Sequence, residues 1–171
     1  NEQLDRLASG ESTIADDRMR MIVLGHFGEA AALTGRTDLA ERLYDDLLGF
    51  EGLMFDCGTL QFVVGPVGRP LGMLASLLQR WDAADAHFEA AIRAAKDMEH
   101  RPAVADTTFQ HARSLVARNQ WSERGRAREM AEFAEAEALE MGYVPLQQQA
   151  GQLLDGMGRG GYPAGLSERE V

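Results

Sequence analysis

The sequence has a single cysteine, Cys57, among its 171 residues. One thiol cannot form a disulfide within the chain, so a small disulfide-stapled secreted fold is excluded and a reducing, cytoplasmic setting is expected. The chain also lacks an apolar run long enough to span a bilayer, and it lacks a secretory signal pattern. We therefore expect a globular cytoplasmic protein that does not insert into a membrane.

Basic residues are scarce. The chain has 17 lysines and arginines against 27 aspartates and glutamates, which gives a formal net charge of −10. Such a surface repels the phosphates of nucleic acids and of anionic lipids. We therefore expect this chain to bind neither nucleic acid nor membrane.

The residue patterns that carry chemistry are also missing. The four histidines have no histidine three or four positions away and no H-E-x-x-H arrangement, and Cys57 has no nearby cysteine or histidine. Gly156, Gly158 and Gly161 match G-x-G-x-x-G, but helical sequence precedes them and Tyr162-Pro163 follows. A dinucleotide fingerprint needs a strand before it and a helix after it. We predict no catalytic, cofactor-binding or metal-binding residues, and thus no enzyme in this stretch.

Helical periodicity, in contrast, runs through most of the sequence. Apolar residues recur at spacings of three and four along TDLAERLYDDLL (37–48), DAADAHFEAAIRAA (82–95) and GRAREMAEFAEAEALEM (125–141). The best strand candidate, FVV at 62–64, is short and precedes Gly65-Pro66. We interpret it as a loop or as the lead-in to a helix. The pattern predicts an all-α protein.

The predicted helices share an internal repeat. In each of three helices a small residue is followed four and seven positions later by further core residues, and the triplets begin at positions 40, 84 and 127. A helix upstream of each triplet has a small residue at the matching place, where two antiparallel helices could pack closely. The aromatic residue at the second triplet position would reach the next hairpin. The triplets are Ala40–Tyr44–Leu47, Ala84–Phe88–Ala91 and Ala127–Ala131–Ala134, and the upstream residues are Gly28, Gly72 and Ala112.

This repeat resembles the tetratricopeptide repeat, with Leu71-Gly72, Ala84, Phe88 and Ala91 at its consensus places. The spacing here exceeds the usual period of about 34 residues, which indicates longer helices or loops. The resemblance implies a tetratricopeptide-like α-solenoid of about three helical hairpins plus a C-terminal helix over residues 1–155, rather than a generic helical bundle. Residues 156–165, GMGRGGYPAG, are interpreted as a Gly-rich linker.

The last residues, GLSEREV at 165–171, have the pattern of a helix start. Ser167 stands three residues before Glu170, which is the spacing of a capping box. Residues 166–171 resemble the opening of the LuxR-type helix-turn-helix domain, and we interpret them as the first turn of a truncated domain of that kind. The upstream segments AERLYDDLLGFEG (40–52), RPLGMLASLLQRWDAADAHFEAAIRAA (69–95) and ARSLVARNQ (112–120) resemble the C-terminal region of large multidomain bacterial regulators.

The resemblance covers roughly residues 14–171 and implies a regulatory function. In this family an ATPase module, sometimes preceded by a nucleotide cyclase domain, leads into helical repeats, and many members end in a LuxR-type domain. The repeats would receive a protein partner or small effector and couple it to the other domains of the polypeptide, including a DNA-binding domain, with a homo-oligomer as a further expected state. The chain itself has no G-x-x-x-x-G-K-[ST] motif, so no nucleotide site is assigned to it.

Two other functions stay open at this point. One is a regulatory repeat domain of a nucleotide cyclase or ATPase signalling protein without a DNA-binding tail. The other is a free-standing scaffold that recruits partners.

Candidate binding residues follow from the repeat. In stacked hairpins of this kind the first helix of each pair lines the concave groove. Two groove positions are arginines in an otherwise acidic chain, and their guanidinium groups could hold a carboxylate, a phosphate or an acidic peptide end. Alternatively, they form salt bridges with Glu29 and Asp106 inside the protein. The candidate groove residues are Glu29, Arg69, Met73, Phe109 and Arg113.

The charge balance leads to a first prediction, that the chain alone does not bind duplex DNA. We expect no retarded band in a gel-shift assay at moderate salt, because the acidic surface and the phosphate backbone repel each other. A basic protein of similar size serves as the positive control. A retarded complex that weakens as the salt concentration rises would contradict the prediction.

Overall fold

The computed structural model describes residues 2–9, 19–56 and 63–159. These ranges contain eight α-helices and one short β-hairpin, so the predicted predominantly helical class is confirmed. None of the described helices is both long and apolar enough to cross a bilayer. The elements are α1 (Glu2–Ala8), α2 (Arg20–Thr34), α3 (Thr37–Leu48), β1 (Met54–Asp56), β2 (Val63–Pro66), α4 (Gly68–Leu77), α5 (Trp81–Asp97), α6 (Arg101–Arg118), α7 (Arg124–Met141) and α8 (Val144–Arg159), with a 3-10 turn at Trp121–Glu123.

Short turns in left-handed backbone conformation separate several helices. Gly35 ends α2 with φ of 70° and Gly142 ends α7 with φ of 68°, a conformation that glycine adopts without steric cost. At the start of α6 the His100 ring accepts a hydrogen bond from the backbone N–H of Ala103 at 3.1 Å. Such tight turns place consecutive helices side by side.

The helices contact one another in a regular order. α2 packs on α3, α4 on α5 and α6 on α7, which makes three hairpins, and α8 packs on α7. The first helices of the hairpins also touch, α2 with α4 and α4 with α6, and α8 reaches α6. As a result α2, α4, α6 and α8 form one continuous row.

The residues of the sequence repeat lie in the core of these contacts. All nine triplet residues and their three upstream partners are buried. A Cβ on Gly72 of α4 would lie 2.7 Å from the Phe88 ring of α5, so only a glycine allows this approach. Phe88 also stacks on His111 of α6, with ring centroids 5.1 Å apart. The Tyr44 hydroxyl lies 2.9 Å from Nε2 of His87 on α5. Both aromatic residues therefore reach the next hairpin, as predicted.

The segment between α3 and α4 differs from the expectation. β2 pairs antiparallel with β1, so the interpretation of residues 62–64 as a loop or helix lead-in is wrong for residues 63 and 64. The strands are too short to show a period of two, and tertiary packing fixes them instead. Phe55 of β1 is buried against α2, where a Cβ on Gly25 would lie 2.2 Å from its ring.

The C-terminal helix extends further than the predicted domain boundary at residue 155. α8 continues through residues 156–159, the first part of the predicted linker. The reason is apolar packing, because Leu153, Leu154 and Met157 contact the core formed by α6 and α7. The rest of the predicted linker, the first turn of the LuxR-type domain at 166–171, and Cys57 lie outside the described residues.

The central position of Phe88 gives a second prediction. Phe88→Ala should lower the free energy of unfolding by about 3–5 kcal/mol, because it opens a cavity between α4, α5 and α6. Denaturant unfolding followed by circular dichroism measures this change. Phe133→Ala is the matched control, since the Phe133 side chain is 42% exposed on α7. Equal midpoints for the two variants would contradict the packing role of Phe88.

Candidate functional site

A cavity of about 320 Å³ lies between the C-terminal halves of α2, α4 and α6. Equivalent parts of the three helices line it, so the helices run parallel within the row. Both apolar and polar side chains line it, and we call this space the groove. Among the lining residues are Leu33, Met73, Leu77, Trp81, Gln110, Arg113 and Ser114.

An ion cluster joins the same three helices on the N-terminal side of the groove. Arg69 of α4 donates from Nε and Nη2 to Oε1 of Glu29 on α2, at 2.8 and 2.6 Å. Its Nη1 donates to Oδ2 of Asp106 on α6 at 2.6 Å. Arg69 is only 6% exposed, and β2 lies beside it, since a Cβ on Gly65 would be 3.4 Å from Nη1. The cluster therefore links α2, α4 and α6 beside the β-hairpin of β1 and β2.

The two carboxylates stabilise the charged form of this arginine. Burial disfavours the charged form of Arg69, but Asp106 and Glu29 outweigh that effect and raise the pKa of its guanidinium. Nearby, burial raises the pKa of the Tyr143 phenol, and the charge of Asp106 adds to the increase. Each of the three guanidinium nitrogens of Arg69 thus already donates to a carboxylate. Arg69 therefore forms the salt bridges with Glu29 and Asp106 that were the alternative to ligand binding.

Arg113 has a different environment. Its Nη1 donates to Oε1 of Gln110 at 3.0 Å, and its guanidinium carbon lies 5.9 Å from the centroid of the Phe109 ring. It is half-buried and borders the groove. Among the described residues, no carboxylate forms an ion pair with it. Arg113 therefore differs from Arg69 in having no counter-charge among the described residues.

The five candidate residues consequently separate into three groups. Met73 and Arg113 border the groove, whereas Glu29 and Arg69 pair with each other. Phe109 is buried with apolar residues of α7 and α8, so the expectation that it lines an open groove is wrong. Arg69 and Phe109 lie three residues before Gly72 and Ala112, the small residues at which the two helices of a hairpin cross. Their side chains therefore point about 40° closer to the partner helix than those of Met73 and Arg113, which lie one residue after the crossing.

Several groove residues were not predicted. Ser76 and Ser114 join α4 and α6 through their hydroxyl oxygens, 2.6 Å apart, and Ser76 Oγ also donates to the carbonyl of Gly72 at 2.7 Å. Trp81 also borders the groove. Ser76 follows the crossing residue Gly72 by one helical turn, and this offset is a signal that could have identified it.

The described ranges bring no three histidine, cysteine, aspartate or glutamate side chains together in a way that could hold a metal ion. Comparisons of the chain with protein-family models, with curated proteins and with solved structures give no match. The function is therefore inferred from the groove and from the resemblance noted in the sequence.

The ion cluster gives a third prediction. Arg69→Ala leaves two carboxylates facing each other, which should cost about 3 kcal/mol of unfolding free energy. This is the lower end of the range for buried pairs, because the side chains of Glu29 and Asp106 keep 22% and 21% of their surface exposed. Denaturant unfolding measures the difference.

Arg101→Ala is the control for that experiment. Arg101 also bridges two carboxylates, Glu137 and Glu140, at 3.0 and 2.7 Å, but its side chain is 54% exposed. Solvent screens such pairs, so little change is expected. Similar losses for both variants would show that burial does not set the strength of the Arg69 cluster.

Proposed function

We propose that the chain is a signal-receiving and protein-interaction domain built as a tetratricopeptide-like solenoid, with the groove as its receiving site. The observation that carries this proposal is the row of first helices, because α2, α4 and α6 contact one another and share one cavity. In a solenoid each repeat packs on its neighbours and the first helices line a common concave surface.

The repeat residues support the tetratricopeptide-like character. Small residues stand where the helices of each hairpin cross, and the aromatic residues Tyr44 and Phe88 contact the following hairpin. The long spacing has two sources. β1 and β2 are inserted between the first two hairpins, and the helices α5, α6 and α7 have 17, 18 and 18 residues.

The resemblance at residues 166–171 and in the upstream segments places this domain, in our proposal, inside a LuxR-type transcriptional regulator. The solenoid would then lie between an ATPase module and a DNA-binding domain. An effector that fits one curvature of the row better than another shifts the population toward that curvature. Because three helices line the groove, a bound effector would change how these helices are arranged. That change would in turn alter the position of the domains attached to them.

A blocking substitution tests this function. Ala117 is exposed and borders the groove, so Ala117→Trp fills the opening without entering the core. Ala136→Trp on the exposed face of α7 is the control. We expect at least one member of a panel of metabolites and short peptides to raise the melting temperature of the parent and of Ala136→Trp, but not of Ala117→Trp.

The same pair of variants tests the regulatory role in cells. In a regulator that contains this chain, Ala117→Trp should uncouple reporter transcription from the inducing condition, whereas Ala136→Trp should respond normally. Identical behaviour of both variants in the melting and the reporter measurements would reject the groove as the receiving site.

A further inference from the structure

We infer that the groove binds a small molecule with one carboxylate and an apolar body, and that the carboxylate pairs with Arg113. This inference rests on the proposed function, since it names the class of effector that the groove would take. It is carried by the charge, the hydrogen bonds and the apolar wall around one side chain.

The first step is the unmatched charge of Arg113. Other partly buried arginines pair with carboxylates, such as Arg69 with Glu29 and Asp106, and Arg118 with Asp85 and Glu123. Within the described residues, Arg113 contacts a neutral amide and an aromatic ring but no carboxylate, in a chain of net charge −10. A half-buried cation without a counter-charge gains most from an anion that arrives with a ligand.

The second step is the orientation of the guanidinium. Gln110 donates from Nε2 to Oδ1 of Asp106 at 3.4 Å, which turns its Oε1 toward Nη1 of Arg113. The Phe109 ring supports the guanidinium from one side. The edge formed by Nε and Nη2 donates to no described residue. Two parallel N–H donors on one edge match the two oxygens of a carboxylate.

The third step separates a carboxylate from a phosphate. Ser76 donates to the carbonyl of Gly72, so its oxygen accepts the proton of Ser114, and neither hydroxyl is left to donate to an anion. Of the described residues that line the groove, Arg113 alone is a cation. A phosphate dianion would bring two charges to this single guanidinium, with the Asp106 carboxylate near by through Gln110. One carboxylate balances the charge.

The fourth step concerns the rest of the ligand. Leu33, Met73, Leu77 and Trp81 line the groove, and Leu33 is 55% exposed. An apolar body covers the parts of Leu33, Leu77 and Trp81 that are exposed to water. The volume of about 320 Å³ lies at the lower end of the range for small-molecule pockets. A metabolite-sized ligand therefore matches the volume of the groove, whereas a protein partner would need about 800 Å² of contact surface on each side.

Matched pairs of small probes test the inference. Phenylacetate and hexanoate are titrated into the chain alongside phenylacetamide, hexanamide, phenyl phosphate and a short peptide with a free carboxyl terminus. Two-dimensional NMR of the Trp81 indole N–H reports binding at the groove even when it is weak. We expect saturable shifts with the carboxylates and about ten- to hundredfold weaker binding of the amides, because a charge-assisted pair is lost.

Two arginine variants complete the experiment. Arg113→Gln should bind the carboxylates about ten- to hundredfold more weakly and no better than the amides. Arg128→Gln is the control, since Arg128 is exposed on α7 and faces Glu132 at 3.8 Å. The inference is overturned by equal binding of acids and amides to the parent, by parental affinity in Arg113→Gln, or by no saturable shift with any carboxylate.

The result is separable from a failure of the proposed function. If phenyl phosphate or the peptide binds instead and Ala117→Trp abolishes that binding, the ligand class is wrong and the receiving role stands. If the carboxylates bind through Arg113 while reporter transcription ignores Ala117→Trp, the ligand class stands and the regulatory role is wrong.

Discussion

The buried guanidinium of Arg69 is the interaction on which the arrangement of the groove depends. It joins Glu29 of α2 and Asp106 of α6 to α4 with three hydrogen bonds of 2.6–2.8 Å. Two carboxylates so close to one another would repel without the cation between them. The cluster thus joins the three first helices on the N-terminal side of the groove.

Close packing of small residues sets the second dimension of the fold. Gly72 admits the Phe88 ring, and a Cβ on Gly28 would lie 3.1 Å from methyl carbons of both Leu47 and Leu74. Polar contacts between successive hairpins add direction to this apolar core. His111 of α6 meets Asp85 of α5 at 2.9 Å. Burial lowers the pKa of His111 although this hydrogen bond opposes the shift, so the ring is neutral near pH 7.

The sequence allowed the helices to be predicted because amphipathic helices have a local periodicity in their apolar residues. A small residue with core residues four and seven positions later marks one face of a helix, whichever distant residues that face contacts. The β-hairpin had no such signal, since Phe55 is held by a space beside Gly25 that only the folded chain creates. The groove could be predicted only in part, because it too depends on contacts between helices. Positions such as Arg69 and Arg113 differ by about 40° around a helix, and the partners that decide between burial and exposure come from other helices.

The same hydrogen bonds connect the ion cluster to the groove. Asp106 accepts from Arg69 and from Gln110, and Gln110 in turn holds Arg113 at the groove wall. A carboxylate bound to Arg113 would place a negative charge at one end of a series of hydrogen-bonded side chains. The other end of this series is Glu29 on α2. A shift of Arg113 toward a ligand would act on Gln110, which donates to the Asp106 oxygen that Arg69 does not use. On the proposed function, a ligand in the groove would thus influence the Arg69 cluster that joins the first helices, because Asp106 takes part in both the cluster and the hydrogen bond to Gln110.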